Sequence, residues 1–472
     1  MDTYKITDID NFMDKPLELY NDLYNDKIKE PAFNLYKFID IEMGKEYELF
    51  CISDIHADIH RFWTFLYLQN FVTSEHFTSL DDIVWNPQIT HKALVICGDL
   101  IDGRRPPNEN LNSTANNEIV LHIIIYNLRI EAIKHKCYIF CTLGNHDFYA
   151  FHKGNPKWNF AYIEYIDSNS KQNYINQLED MFSNIENIEY NDKLYLSRTH
   201  LLSRFYLIGF PFFLKINTTL FAHAGFHKSE NIIALFDNGE NSNKQIQPLL
   251  IHRKMLEYMS DSYNIVSFIE FNKRDKKRLT NYSSYYENLF QLSVLFLHKD
   301  YDKKNMSNKE LIEKYSNYFT NSSEDSMIFN LFLTRELQKN CAKVDEILET
   351  YKCHMLVLGH CPTCLGTTIF NSENVNGITD CTNARIVYSC DSKLITVDIA
   401  SSSGFTPVKE FLECLSITID KYNIERMKTV QHNLRTGVTK EYNNLAYDKA
   451  YGKWTKPILR KNQIFHPSSE EN

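Results

Sequence analysis

The chain has 472 residues, 43% of them hydrophobic and 14% aromatic, which excludes a disordered polypeptide. A protein of this size buries about three quarters of its surface and divides on length into roughly three domains. Against 51 Lys and Arg stand 60 Asp and Glu, a net charge of −9, so no bulk positive field points to nucleic acid or an anionic membrane as partner.

The start, Met1-Asp2-Thr3-Tyr4-Lys5, carries a carboxylate where a secretory leader would be basic and then apolar. The best apolar stretch, Leu121 to Tyr126, is cut off by Asn127 and Arg129, so no membrane span is expected. The eleven cysteines are an odd number, and Cys51, Cys97, Cys137 and Cys141 sit inside apolar runs. Such thiols behave as small buried hydrophobes, which suits a reducing compartment and makes a cytoplasmic location the expectation.

In chain order, residues 1–46 show no clear period and read as an N-terminal extension. Five short apolar runs follow, each ending in a polar cluster, at Tyr47 to Asp54, Ala93 to Asp99, Cys137 to His146, Leu220 to His223 and His354 to His360. Runs without alternation predict strands buried on both faces. Between the second and third runs, Asn117 to Lys136 carries apolar residues at helical spacing. Strand, helix, strand at this spacing implies crossover connections and an α/β (α+β) layered fold. Residues 148–205 and 228–330 are polar and read as insertions into a catalytic domain spanning 47–426. The charged run from Lys273 to Arg278 reads as a solvated face, and residues 427–472 as a polar, peripheral C-terminal segment.

Each apolar run ends in a polar cluster. They are Ser53-Asp54-Ile55-His56, Gly98-Asp99-Leu100-Ile101-Asp102-Gly103-Arg104, Gly144-Asn145-His146-Asp147, Ala222-His223-Ala224-Gly225 and Gly359-His360-Cys361-Pro362. In layered α/β folds ligands gather beyond the carboxyl ends of strands, which makes these clusters the candidate site. Their oxygen and nitrogen atoms suit manganese, iron or zinc, and a pair of divalent cations about 3.5–4 Å apart needs such a set with a shared carboxylate. One Asp-x-His arises often by chance; five clusters in order form a constellation. The alternative is that these residues merely cap strand ends.

The clusters resemble the motifs of the calcineurin-like metallophosphoesterases, and among them the PPP-type serine/threonine protein phosphatases of the bacterial-like, Shewanella-like branch. That pattern is Gly-Asp-x-His-Gly, Gly-Asp-x-x-Asp-Arg-Gly, Gly-Asn-His-Glu, His-Gly-Gly or His-Ala-Gly, and Gly-His-Thr-Pro. The resemblance implies a two-sheet β-sandwich flanked by helices, with the metals at one edge. It implies two divalent metal ions, manganese first with iron or zinc as alternatives. Asp54, His56 and Asp99 would hold one ion, and Asp99, Asn145, His223 and His360 the other. His146 would act as general acid with Asp102 orienting its ring, while a water activated between the metals attacks phosphorus in line.

The departures are informative. Ala57 stands where the family has Gly, and Asp147 where it has Glu. Gly103-Arg104 replaces Arg-Gly, which shifts the phosphate-binding guanidinium to Arg104 or Arg105; Arg335 is the candidate for a second one, with an ordinary helix-face charge as its alternative. The last cluster lacks a second histidine, which favours protein phosphatases and dinucleotide polyphosphatases over nucleases. Cys361 and Cys364, with Cys381 and Cys390, could suggest a zinc ribbon or redox pair, but Cys361 falls where the family has Thr, so incidental cysteines are the preferred reading. The expected substrate is a phosphorylated protein. A diadenosine polyphosphate or other small phosphoester is the alternative, and a weakly active phosphoprotein-binding scaffold a further one. The insertions could serve a protein partner.

Overall fold

The structure, a computed structural model, describes residues 40–41, 46–101, 115–149, 213–226, 331–361, 384–399, 410–420, 422 and 424–456. Its first half gives strands β1 (Asp40–Ile41) and β2 (Tyr47–Ile52), helix α1 (Ile59–Leu68), β3 (Lys92–Ile96), helix α2 (Ala115–Lys134) and β4 (Tyr138–Cys141). The short helix α3 (Asn145–Tyr149) follows, then β5 (Phe213–Ile216), β6 (Thr219–Ala222), helices α4 (Leu331–Lys339) and α5 (Cys341–Tyr351), and β7 (Met355–Leu358). The remainder is all strand: β8 (Val387–Ser389), β9 (Leu394–Thr396), β10 (Phe411–Ile419), β11 (Glu425–Asn433), β12 (Thr439–Asp448) and β13 (Lys453–Thr455).

Two mixed sheets form the α/β architecture expected. One runs β13-β12-β11-β10-β2-β3-β4, the other β1-β5-β6-β7-β9-β8. β2, β3 and β4 are parallel, as are β6, β7 and β9, so their carboxyl ends lie along common sheet edges. Val95 and Leu415 of one sheet and Phe221, Val357 and Ile395 of the other join one apolar layer. On the outer side of the six-stranded sheet, Leu220, Leu356 and Leu358 pack against Leu337 of α4 and Val344, Ile347 and Tyr351 of α5. The five predicted runs are the buried strands β2, β3, β4, β6 and β7, and the predicted helix is α2. Among the described residues no helix is long and apolar enough to cross a membrane.

Three expectations are corrected. The C-terminal boundary at 426 falls inside β11, which pairs with β10 along its whole length; the segment to residue 455 is the edge of the seven-stranded sheet. Its polarity misleads because buried positions of β11 are themselves polar: Glu425 meets His354 at 2.9 Å, and Thr429 meets the Tyr388 hydroxyl at 2.7 Å. Secondly, Asp40 and Ile41 of the expected N-terminal extension pair with β5. Thirdly, Cys390 is not incidental but is joined to Cys341 in a disulfide, tying the β8–β9 turn to the start of α5; Cys361 is buried and belongs to no disulfide among the described residues. Apart from residues 40–41, 46 and 148–149, the N-terminal extension and both insertions lie outside the described residues, as do Cys364 and Cys381.

Candidate metal centre

The loops after β2, β3, β4, β6 and β7 meet at one edge of the sandwich, and their backbone is unusual. Asp54, His56, Ala57, Asp99 and His360 have φ of 55°, 47°, 54°, 57° and 68°, in the left-handed region. Each such non-glycine residue costs on the order of 1–3 kcal/mol, and these persist because neighbouring structure fixes them. The Asp54, His56 and Ala57 amides donate to the carbonyls of Gly98, Asp99 and Leu100 at 3.1, 3.0 and 2.6 Å, extending the β2–β3 pairing past the strands. At residue 57 the family's glycine would hold this φ freely, whereas alanine holds it with strain.

Asp147 ties the next pair of loops. Its fully buried carboxylate accepts the amides of Asp99, Leu100 and Gly144, each at 2.9 Å. Gly144 is obligatory, since a Cβ there would overlap the carboxylate and amide of Asp99. Gly98, at φ 83°, would drive a Cβ to 2.6 Å from His223 Nδ1. Replacing Asp147 by Asn leaves one acceptor oxygen for three donors and turns an NH2 against an amide. At about 1–3 kcal/mol per unpaired buried group, Asp147→Asn is expected to lower stability by roughly 2–4 kcal/mol, read as a fall in the thermal unfolding midpoint.

Two sets of ligand-type atoms converge here, each within 4.8 Å of one another: Asp54, His56 and Asp99, and Asp99, His223 and His360. His56 Nδ1 donates to the Ile101 carbonyl at 2.8 Å, which leaves Nε2 facing Asp54 Oδ1 and Asp99 Oδ2, both at 3.8 Å. His223 Nδ1 likewise donates to the Cys97 carbonyl at 2.7 Å, aiming Nε2 at Asp99 Oδ1 (3.3 Å), Asn145 Oδ1 (2.9 Å) and His360 Nδ1 (3.0 Å). A ring oriented by a hydrogen bond through its far nitrogen is the usual setting of a metal-ligating histidine. Atoms sharing a cation at about 2.1 Å lie between roughly 3 Å apart, when adjacent, and 4.2 Å, when opposite, so these separations leave room for a divalent ion in each set. His146 stands beside them, its amide donating to Asp99 Oδ1 at 2.9 Å and its Nε2 3.9 Å from Asp99 Oδ2.

The electrostatics carry the same message. Burial opposes a charged His223, but the Asp99 carboxylate beside it outweighs that and pushes the ring up to about 10. Burial would likewise raise Asp99, yet His223 and His146 hold it well below the usual carboxylate range. Asp54 goes the other way, pushed well up by burial and then by the carboxylate of Asp398. A buried site that draws protons onto its histidine and aspartate offers the charge deficit that divalent cations satisfy.

Thus Asp54, His56, Asp99, Asn145, His146, His223 and His360 come together, all of them buried. Asp102, Arg104 and Arg105 lie outside the described residues, and Arg335 lies on α4. Sequence reading overlooked three contributors. Asp147, which stands where the resemblance has Glu, cross-links two loops. Ser53 donates to the Asp54 carboxylate, which also accepts the His360 amide at 3.0 Å. Asp398 follows the apolar run Leu394-Ile395-Thr396-Val397, the same strand-end signature as the five clusters, and would have been found by it.

The fold is a layered α/β architecture with two candidate metal-holding groups at one edge. Residues 48–276 match the model of the calcineurin-like phosphoesterase family, a likeness that supports phosphoester hydrolysis as the activity. Among curated proteins, no sequence matches the chain. Solved structures that resemble it include a cold-active protein tyrosine phosphatase of a psychrophilic Shewanella species. The likeness has 14% identity and a TM-score of 0.40, covering 86% of this chain and 83% of that one. A second structure of a cold-active protein tyrosine phosphatase matches at 14% identity and a TM-score of 0.40, over 86% of this chain and 82% of that one.

Proposed function

We propose that the chain is a two-metal phosphomonoesterase acting on phosphoserine or phosphothreonine in proteins. The observation that carries the metal assignment is Asp99, whose two oxygens face the two convergent sets. In this reading Asp54, His56 and Asp99 hold one divalent cation, and Asp99, Asn145, His223 and His360 the other, with manganese first and iron or zinc as alternatives. What the cations supply when bound is Lewis-acid charge on the phosphoryl group and the attacking water. The chain's own groups do the rest. His146 donates a proton to the leaving oxygen of the seryl or threonyl side chain, with Asp102 orienting its ring. Arg104 or Arg105, and Arg335, bind the phosphoryl oxygens as planar forks. The single-histidine ending Gly359-His360-Cys361-Pro362 supports a protein substrate over a nucleic acid.

Titration of the metal-free protein with manganese, iron and zinc tests this, read as stoichiometry and as turnover together. Two equivalents are expected, with hydrolysis of a phosphoserine peptide faster than that of a phosphotyrosine peptide or a diadenosine polyphosphate. One equivalent or none would remove the two-metal reading. Two equivalents with preference for the dinucleotide or the phosphotyrosine peptide would replace the substrate class alone.

A further inference from the structure

β6 and its partner β7 hold the chain as far as His223. Ala222 stands opposite Leu358, and the His223 carbonyl accepts the Gly359 amide at 2.9 Å. The next carbonyl is held from a different element. The hydroxyl of Thr334, the fourth residue of α4, donates to the Ala224 carbonyl, and both residues are fully buried. A threonine inside a helix ordinarily turns its hydroxyl back to the carbonyl four residues earlier. A hydroxyl has one proton to give, and here it goes across to the loop after β6. α4 has other anchors. Leu337 shares an apolar layer with Phe226 outside the six-stranded sheet, and Gln338 Nε2 donates to the Thr396 hydroxyl at 3.2 Å.

Ala224 adjoins a ring that must point in three directions at once. His223 Nε2 lies 3.3 Å from Asp99 Oδ1, 2.9 Å from Asn145 Oδ1 and 3.0 Å from His360 Nδ1. Groups that share an ion have to be held within about 0.5 Å of their working geometry. Two residues beyond Ala224, the Phe226 ring meets those of Phe213 and Tyr351 edge-on, at 5.0 and 4.9 Å. The Ala224 carbonyl is thus a buried acceptor between a candidate ligand and a packed aromatic ring. Without its donor it would carry the full cost of desolvation. The peptide would then turn towards another donor, and His223, one residue away, would be drawn with it.

We propose that Thr334 is a positioning residue: through the Ala224 carbonyl it holds His223 in place for the cation of the Asp99, Asn145, His223 and His360 set. The inference rests on the metal-centre reading above. Helix α4 stands outside the sandwich and contributes none of that set, yet its hydroxyl fixes the backbone beside one member of it.

The test is manganese binding to the full metal-free chain, measured by calorimetry alongside its thermal unfolding midpoint. His223→Ala marks which of the two binding steps belongs to the His223 set. Thr334→Val keeps the shape and removes the hydroxyl. It is expected to weaken that step by about 10- to 100-fold, the range for groups that act on a metal through its ligands, and to leave the other step unchanged. Thr334→Ser keeps the hydroxyl and is expected to retain most of the affinity. Gln338→Leu loosens α4 without touching Ala224 and is expected to bind manganese as the wild type does. Thr334→Ala serves as a second variant without the hydroxyl should Thr334→Val not fold. Unchanged affinity in a folded variant lacking the hydroxyl would overturn the inference, as would a loss falling equally on both steps. Equal losses in Thr334→Ser and Thr334→Val, or an equal loss in Gln338→Leu, would also overturn it, since the packing of α4 and not the hydrogen bond would then be at work. A wild-type chain that binds fewer than two equivalents would fail the metal-centre reading itself, on which the inference rests.

Discussion

Asp99→Asn is expected to cost both cation positions at once, and with them about four orders of magnitude in kcat. Asp99 is common to both convergent sets, and groups that act as a unit lose nearly everything when one is removed. One of its oxygens also accepts the His146 amide, so an NH2 in that place would push the general-acid loop away. Metal content after dialysis should fall from two equivalents to one or fewer, in step with activity on a phosphoserine peptide. Two retained equivalents and near wild-type turnover would show that Asp99 is not shared between two ions.

The second large effect is confined to chemistry. His146→Asn is expected to lower kcat by about 10²- to 10⁴-fold while metal stoichiometry stays at two, because the hydrogen bond of residue 146 to Asp99 is made by its backbone amide and survives the substitution. The loss should depend on the leaving group. A seryl alkoxide must be protonated as it departs, whereas p-nitrophenolate leaves as the anion. The defect should therefore be large on a phosphoserine peptide and much smaller on p-nitrophenyl phosphate. Equal losses on both substrates would place His146 in binding rather than in proton transfer.

Asp147 marks the difference between touching a metal and governing one. It belongs to neither convergent set, yet it fixes where the loops after β3 and β4 stand. An inventory of ligand-type residues omits it, because its contribution runs through backbone amides.

The strands behind the site and the residues at their ends are legible in the amino-acid order alone. β2, β3, β4, β6 and β7 are buried on both faces, so their apolar runs are continuous and each stops where the chain meets the polar edge. Three kinds of feature emerge only once the chain is folded. The strands β10 and β11 carry polar residues at buried positions, and a Glu or Thr is legible as core only when its partner, such as His354 or Tyr388, is in place. The pairing of Cys341 with Cys390 needs α5 and the β8–β9 turn brought together across 49 residues of sequence. And the assembly of Asp54, Asp99, His223 and His360 around one point depends on left-handed backbone at three of them, held by hydrogen bonds between loops distant in sequence. Local composition reveals which side chains stand at a strand's end; the direction in which each points is set by the neighbouring loop that holds its backbone there.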